Sequence, residues 1–109
     1  MRMEVSALKL YLKTKTGADA TGEYDSASKE LTVKKGSLVS PDVHTTGKFR
    51  SANSVLKYRE EYCDGMTVKK DVVFKSASTA ANFVTGRSTN GLITWKNSDG
   101  KALKALLTE

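Results

Sequence analysis

Cysteine, histidine and proline each occur once among the 109 residues of this sequence. The single cysteine, Cys63, excludes an intramolecular disulfide, and the single histidine, His44, leaves too few ligands for a structural zinc site. No apolar run approaches the ~20 residues of a membrane helix, and the first residues do not have the pattern of a secretory signal. We therefore expect a cytoplasmic protein without metal, cofactor or membrane span.

The chain is also short and basic. Its 18 Lys and Arg residues outnumber 12 Asp and Glu residues, which gives a net charge of +6. A chain of 109 residues forms one domain with one modest core, and it is too small for a deep active site between domains. We expect a single domain over residues 1–109 that is a binding module rather than an enzyme.

The N-terminal half, residues 1–48, has the alternation of β-strands. Residues 7–15 carry leucines on one face and mostly lysines on the other, the period of a half-buried strand. The inward set is Leu8, Leu10 and Leu12, and the outward set is Lys9, Tyr11, Lys13 and Lys15. Further strands are predicted over residues 18–24 and 30–35, the latter with Leu31 and Val33 inward. Together they form an antiparallel hairpin or meander.

A first helix is predicted over residues 51–63. Ser51 is a candidate N-cap, and Ala52, Val55, Leu56 and Arg59 follow at helical spacing. Asp64 and Gly65 are expected to end this helix, because glycine tolerates the left-handed conformation of a helix stop. Residues 67–74 then read as a connection that runs into a short strand. His44 lies in a polar stretch before this helix and is interpreted as an exposed loop histidine rather than a catalytic base.

A second helix is predicted over residues 77–85. Ser76 is its cap, Gly86 its stop, and small apolar residues form a narrow face at Ala77, Ala80, Ala81 and Val84. Between the turn signals Asn90-Gly91 and Asp99-Gly100, residues 92–96 are predicted to form a strand with Ile93 and Trp95 on one face. Residues 101–109 form a short helix or an edge strand, and three leucines favour the helix. The predicted class is α+β, with antiparallel strands and two short helices.

Residues 74–101 carry a family resemblance. The run Phe74-Lys75-Ser76-Ala77-Ser78-Thr79-Ala80-Ala81, then Gly86-Arg87-Ser88-Thr89-Asn90-Gly91, then Trp95-Lys96 and Asp99-Gly100-Lys101, resembles a bacterial domain of unknown function often appended to GIY-YIG nuclease domains. It is also similar to the restriction-adenine-methylase-associated domain. The resemblance implies an accessory module of DNA-processing systems, and a nuclease or methylase as a possible partner. A looser similarity extends upstream to about Gly17, and the sequence departs from the pattern at Ala77 and Leu92.

The positive charge is concentrated in the half that contains this motif. Residues 1–64 hold 11 basic and 9 acidic groups, whereas residues 65–109 hold 7 and 3. Such an excess is typical of a phosphate-binding surface. The free N–H groups and the dipole of a helix N-terminus favour an anion, and serine hydroxyls there are further donors. Arg and Asn side chains can read base edges. The candidate DNA-binding residues are Lys69, Lys70, Lys75, Ser76, Ser78, Arg87, Asn90, Lys96 and Lys101, with Lys104 near them.

Other interpretations of the same residues remain open. Ser76 is also explained as a cap, Gly86 as a helix stop and Trp95 as core, without any ligand. A protein-interaction module that docks on a DNA-processing enzyme is the main alternative function. A weaker one is a metal-dependent nuclease, in which Asp42 after Pro41 would act with Asp99 and Lys101, although Asp99-Gly100 fits a turn better.

Overall fold

The described residues form six strands and four short helices. The structure, a computed structural model, describes residues 7–15, 17–41, 52–87 and 89–107. In chain order the elements are β1 (Ala7–Lys13), β2 (Asp19–Asp25), β3 (Glu30–Val33), α1 (Ala52–Tyr62), β4 (Cys63–Asp64), β5 (Thr67–Val68), β6 (Val72–Phe74), α2 (Ala77–Thr85), α3 (Gly91–Thr94) and α4 (Leu103–Leu107). The predicted α+β class is confirmed.

The main sheet is antiparallel throughout and has the order β1-β2-β3-β6. Its inner face is the predicted one, because Leu10 and Leu12 of β1 and Leu31 and Val33 of β3 are buried. The outer face carries polar side chains, as expected when side chains alternate between the two faces of a half-buried strand. The strands predicted over residues 7–15, 18–24 and 30–35 are therefore confirmed, with ends that differ by one or two residues.

Helix α1 lies within one residue of the predicted range, but its buried face differs. Val55 and Arg59 are buried, whereas Leu56 is 42% exposed. The predicted stop at Asp64 and Gly65 is wrong. The helix ends at Tyr62, and these two residues belong to the β4–β5 hairpin, where Gly65 has a φ of 65°. Pairing of Cys63 with Val68 supplies the backbone partners here and buries both side chains.

Helix α2 has the predicted limits and the predicted caps. The Ser76 side chain accepts a hydrogen bond from the Thr79 N–H, and Gly86 adopts the left-handed conformation with a φ of 75°. The alanine-rich face is buried against the sheet together with Phe83, which the helical spacing had not included. Small side chains let the helix approach the sheet closely. The local sequence preference of this segment therefore agrees with its tertiary packing.

The strand predicted over residues 92–96 is wrong. Residues Gly91–Thr94 form one helical turn, α3, and Asn90 caps it by accepting from the Leu92 N–H at 3.0 Å. Ile93 is 54% exposed whereas Trp95 is fully buried, so these two side chains do not share a face. The cap at Asn90, together with the close packing of Gly91 on α2, outweighs the strand propensity of residues 92–96.

The segment after Trp95 closes the domain. Asp99 and Gly100 form the predicted turn, in which the Asn97 side chain accepts from the N–H groups of Asp99 and Lys101 at 3.0 and 2.9 Å. The C-terminal leucines form a helix, α4, and Leu103 is fully buried. None of the helices in the described segments has both the length and the apolar character of a membrane span. The expectations for Asp42, His44 and Ser51 fall outside the described residues.

Candidate nucleic-acid interface

The seven basic residues of the C-terminal half all carry exposed side chains. They are Lys69, Lys70, Lys75, Arg87, Lys96, Lys101 and Lys104. The acidic Asp71 in this half is held by a lysine of the other half, since Lys34 Nζ lies 3.0 Å from its carboxylate. Hydrogen bonds from the Lys35 N–H and from Lys34 Nζ lower the pKa of Asp71. Lys34 Nζ also lies 3.6 Å from Glu23, so Asp71 and Glu23 share one ammonium group.

The fold divides these basic residues between opposite edges of the sheet. Lys96 pairs with Tyr11 of β1, at one edge. Lys70 and Lys75 flank β6, at the other edge. The two edges are separated by three strand spacings of about 4.8 Å, or roughly 14 Å. The candidate residues thus form two groups rather than one continuous surface.

The group at β6 lies beside acidic side chains. Lys70 Nζ sits 4.9 Å from the centre of the Tyr62 ring, in a cation–π contact. The adjacent Glu61 raises the pKa of the Tyr62 phenol, and Glu60 is also exposed on α1. Lys69 donates its backbone N–H to the Tyr62 carbonyl at 2.8 Å. This edge combines both signs of charge.

The group at β1 gains members from the N-terminal half. Tyr11 is 37% exposed and lies between Lys9 and Lys13 on the outer face of the strand, with Lys96 opposite it on the other side. The acidic Asp19 pairs with Lys13 in the ladder. The alternation of residues 7–15 identifies these lysines as an outward face, but the sequence does not indicate that Lys96 lies beside them.

Arg87 presents its side chain from a fixed backbone. Its N–H donates to the Thr85 hydroxyl at 3.3 Å, and its carbonyl accepts from the Thr89 hydroxyl at 3.0 Å. The Thr89 N–H is bound in turn by the Asn82 side chain at 2.8 Å. The guanidinium is exposed, and within the described residues it forms no ion pair. The backbone of Arg87 is thus fixed, and its guanidinium is accessible to solvent.

A cleft of about 240 Å³ lies beside Arg87. The end of β1, the end of α2 and helix α3 border it, and its lining residues are Thr14, Thr85, Arg87, Thr89 and Thr94. The threonine hydroxyls are bound within the protein: that of Thr94 donates to the Asn90 carbonyl at 2.7 Å, and that of Thr14 accepts from the Ala18 N–H at 3.2 Å. The surface offered to a ligand is therefore mainly methyl groups. We call this feature the threonine cleft.

The polar candidates on α2 and α3 have structural partners. The Ser78 hydroxyl accepts from the Gly91 N–H at 3.0 Å and so joins the two helices. Ser76 and Asn90 are the N-caps of α2 and α3. The Trp95 indole N–H donates to the Ala77 carbonyl at 3.1 Å. These contacts hold α2 and α3, which border the threonine cleft, in position. The side-chain oxygens of Ser76, Ser78 and Asn90 each accept a backbone N–H in these contacts.

No three His, Cys, Asp or Glu side chains in the described part of the chain converge where they could hold a metal ion. Asp99 lies in an exposed turn, held by its backbone N–H on Asn97.

A family model for a domain of unknown function, DUF4357, matches residues 10–107, which are 98 of the 109 residues. The chain belongs to the DUF4357 family. The DUF4357 match includes most of β1 and all later elements, so Tyr11, Arg87 and the threonine cleft lie within the family domain. No curated protein and no solved structure matches the chain.

Proposed function

We propose that this DUF4357 domain binds nucleic acid, DNA in particular, through the basic side chains at the β1 edge of its sheet. The observation that carries the proposal is the position of four exposed cations along the β1 edge: Arg87 lines the threonine cleft, Lys96 pairs with Tyr11, and Lys13 and Lys15 lie at the end of the strand. Lys13 and Lys15 flank the cleft residue Thr14 in the chain. We call these four side chains the β1-edge group.

Phosphate contacts supply most of the affinity of such a surface. Each neutralised phosphate releases bound counterions from DNA, so affinity falls steeply with salt. Four contacts predict a loss of about 100-fold when salt rises from about 50 to about 200 mM. Lys96 and Lys101 lie on either side of the Asp99 turn, and the cationic side chains at this edge outnumber Asp19 and Asp99.

The biological setting is proposed from the resemblance of residues 74–101. Their resemblance to domains appended to GIY-YIG nucleases and to the restriction-adenine-methylase-associated domain supports a non-catalytic accessory role in nuclease or restriction-modification systems. The domain then works in the cytoplasm beside a nuclease or methylase that performs the chemistry. In this role it supplies DNA affinity to that enzyme.

A salt titration of fluorescence anisotropy tests the proposal. Fluorescein-labelled single-stranded and duplex DNA are titrated with the wild-type protein and with two variants of nearly equal charge. The first variant replaces the four residues of the β1-edge group by alanine. The second replaces four lysines outside this group by alanine: Lys57, Lys69, Lys70 and Lys75. The first is expected to lose at least tenfold in affinity at low salt and to flatten the salt dependence, whereas the second retains most of both.

Two results would overturn this assignment. The first is that the wild-type protein binds neither form of DNA at about 50 mM salt. The second is that both variants lose affinity to the same extent. The far-ultraviolet circular dichroism and the fluorescence of Trp95, which is fully buried, serve as controls that each variant keeps the fold.

A second candidate function rests on the exposed face of α1. Leu56 and Tyr58 are 42% and 36% exposed, and a shallow cleft of about 330 Å³ is lined by Ser54, Lys57, Tyr58, Glu61 and Tyr62. An aromatic surface of mixed charge is typical of protein interfaces. A module that docks on an enzyme through this face keeps its partner at high salt, where DNA binding is lost. Replacing Leu56 and Tyr58 by alanine would abolish that interaction and leave DNA binding unchanged.

A further inference from the structure

We infer that the threonine cleft receives one unpaired nucleobase, while Arg87 binds the phosphate of the same nucleotide. The inference rests on the proposed function, and it adds a substrate class: nucleic acid with an unstacked base. It combines the lining of the cleft, its size and the charge at its rim.

The lining favours a flat apolar ligand. The hydroxyls of Thr85, Thr89 and Thr94 are within hydrogen-bond distance of the Ala81, Arg87 and Asn90 carbonyls, at 2.8, 3.0 and 2.7 Å. Each hydroxyl that donates its single proton to one of these carbonyls has none left to donate to a ligand, so the methyl groups form most of the contact surface. Apolar surfaces of this kind accept the face of an aromatic ring, and every nucleobase has such a face.

The size limits the ligand to one ring system. The cleft encloses about 240 Å³, less than the roughly 300–1000 Å³ of pockets that hold drug-sized molecules. A base within a duplex has both faces covered by its neighbours, so only an unpaired or extruded base can enter. The cleft does not fit a stacked base pair.

The charge supplies the other half of a nucleotide. Arg87 lines the same cleft, its backbone is fixed through Thr85 and Thr89, and its exposed guanidinium can form a bidentate contact with a phosphate. Lys13 and Lys15, which flank Thr14, extend the positive potential along the path of the neighbouring phosphates. A peptide or a neutral aromatic molecule would leave these cations without partners.

Two short single strands with the same number of phosphates test the inference. One has a mixed base sequence and the other consists of abasic sugar-phosphate units. The wild-type protein is expected to bind the strand with bases about tenfold more tightly, because removing the apolar face of one base from water contributes on the order of this factor. Thr94→Leu fills the cleft without adding an aromatic face and removes the difference, whereas Thr94→Val keeps the methyl lining and retains it.

The proton–carbon NMR signals of the threonine methyl groups provide a direct measurement on the wild-type protein, which does not depend on how the variants fold. Addition of deoxyadenosine monophosphate is expected to shift the signals of Thr85, Thr89 and Thr94, and the signal of the exposed-face residue Thr32 serves as a control. Equal affinity for both strands together with unchanged methyl signals overturns the cleft inference but leaves the proposed DNA binding intact. Failure to bind either strand overturns the proposed function itself.

Discussion

The backbone of Gly91 lies directly against the carbonyl group of Ala77, so that a Cβ atom at position 91 would overlap it. The contact joins the first turn of α3 to the first turn of α2, and the Gly91 N–H reinforces it by donating to the Ser78 hydroxyl at 3.0 Å. Because backbone cannot move aside as a side chain can, the close approach of these two backbone segments requires glycine.

Gly91→Ala is therefore expected to destabilise the domain by about 3 kcal/mol, the upper range of overpacking effects. Urea unfolding followed by the fluorescence of Trp95 measures the change. Gly36→Ala is the control: Gly36 has a φ of 91° and open space around it, so this variant incurs the backbone strain alone, about 1 kcal/mol. Equal losses in the two variants would contradict the close packing.

Much of the fold could be predicted because local pattern and burial agree. The leucine alternation in residues 7–15 and the pair Leu31 and Val33 correspond to buried positions. In α2, the cap at Ser76, the small residues and the stop at Gly86 all favour the same helix. Where each local preference is consistent with the tertiary structure, the sequence pattern is sufficient.

The failures occur where tertiary contacts outweigh local preference. Residues 92–96 have strand-forming side chains, but only the fold shows that Gly91 abuts Ala77 and that the Trp95 indole reaches the Ala77 carbonyl. Likewise, Lys96 comes to lie beside Tyr11, 85 positions away in the chain, through one antiparallel pair. A site assembled from distant segments has no signal in a local motif, so Lys13, Lys15 and the threonine cleft could not be predicted.

Arg59 binds three backbone carbonyl groups with one buried guanidinium. Its guanidinium donates to the Phe83 carbonyl at 3.0 and 2.8 Å and to the Val84 carbonyl at 3.2 Å, at the end of α2, and also binds the Ser40 carbonyl. Burial lowers the pKa of Arg59, and arginine stays charged in proteins. The side chain thus ties α1, α2 and the segment at Ser40 together.

Arg59→Met is expected to cost about 3 kcal/mol, because it removes several charge-assisted hydrogen bonds from a buried position. Arg59→Lys restores only part of this, since an ammonium cannot match the fork of the guanidinium. Lys57→Met, on the exposed side of the same helix, is expected to change stability by less than about 0.5 kcal/mol. Thermal unfolding by circular dichroism compares the three, and a loss for Lys57→Met as large as that for Arg59→Met would contradict the role of Arg59.

Trp95 fills the space between the sheet and α2. Its ring packs over Gly22, where an added Cβ would lie 3.1 Å from the indole, and its N–H donates to the Ala77 carbonyl at 3.1 Å. Trp95→Phe removes the donor and leaves a void, with an expected cost of about 2 kcal/mol. Urea unfolding by circular dichroism measures it, because this variant has lost the only tryptophan. Ile93→Ala, at a 54% exposed position, should change the free energy of unfolding little. A larger loss for Ile93→Ala than for Trp95→Phe would contradict the core position of Trp95.

Asp71 is expected to make stability depend on pH on the acid side. Its carboxylate accepts from the Lys35 N–H at 2.7 Å and from Lys34 Nζ at 3.0 Å, and these bonds lower its pKa. A carboxyl group whose pKa is lower in the folded state stabilises that state above its unfolded pKa of about 4, and this contribution is lost as pH falls through the folded value. Carboxyl carbon NMR is expected to show Asp71 titrating below the usual range.

The free energy of unfolding at a series of pH values tests the same linkage in a variant. Asp71→Asn cannot ionise, so its free energy of unfolding is expected to fall less steeply below about pH 4 than that of the wild type. Asp99→Asn, in the exposed turn, is the matched control and is expected to retain the wild-type acid slope more closely. Because both bonds of Asp71 are exposed to solvent, the contribution is small and decreases with salt. If Asp71→Asn leaves the acid slope of the free energy of unfolding unchanged, other carboxyl groups cause the loss of stability at low pH.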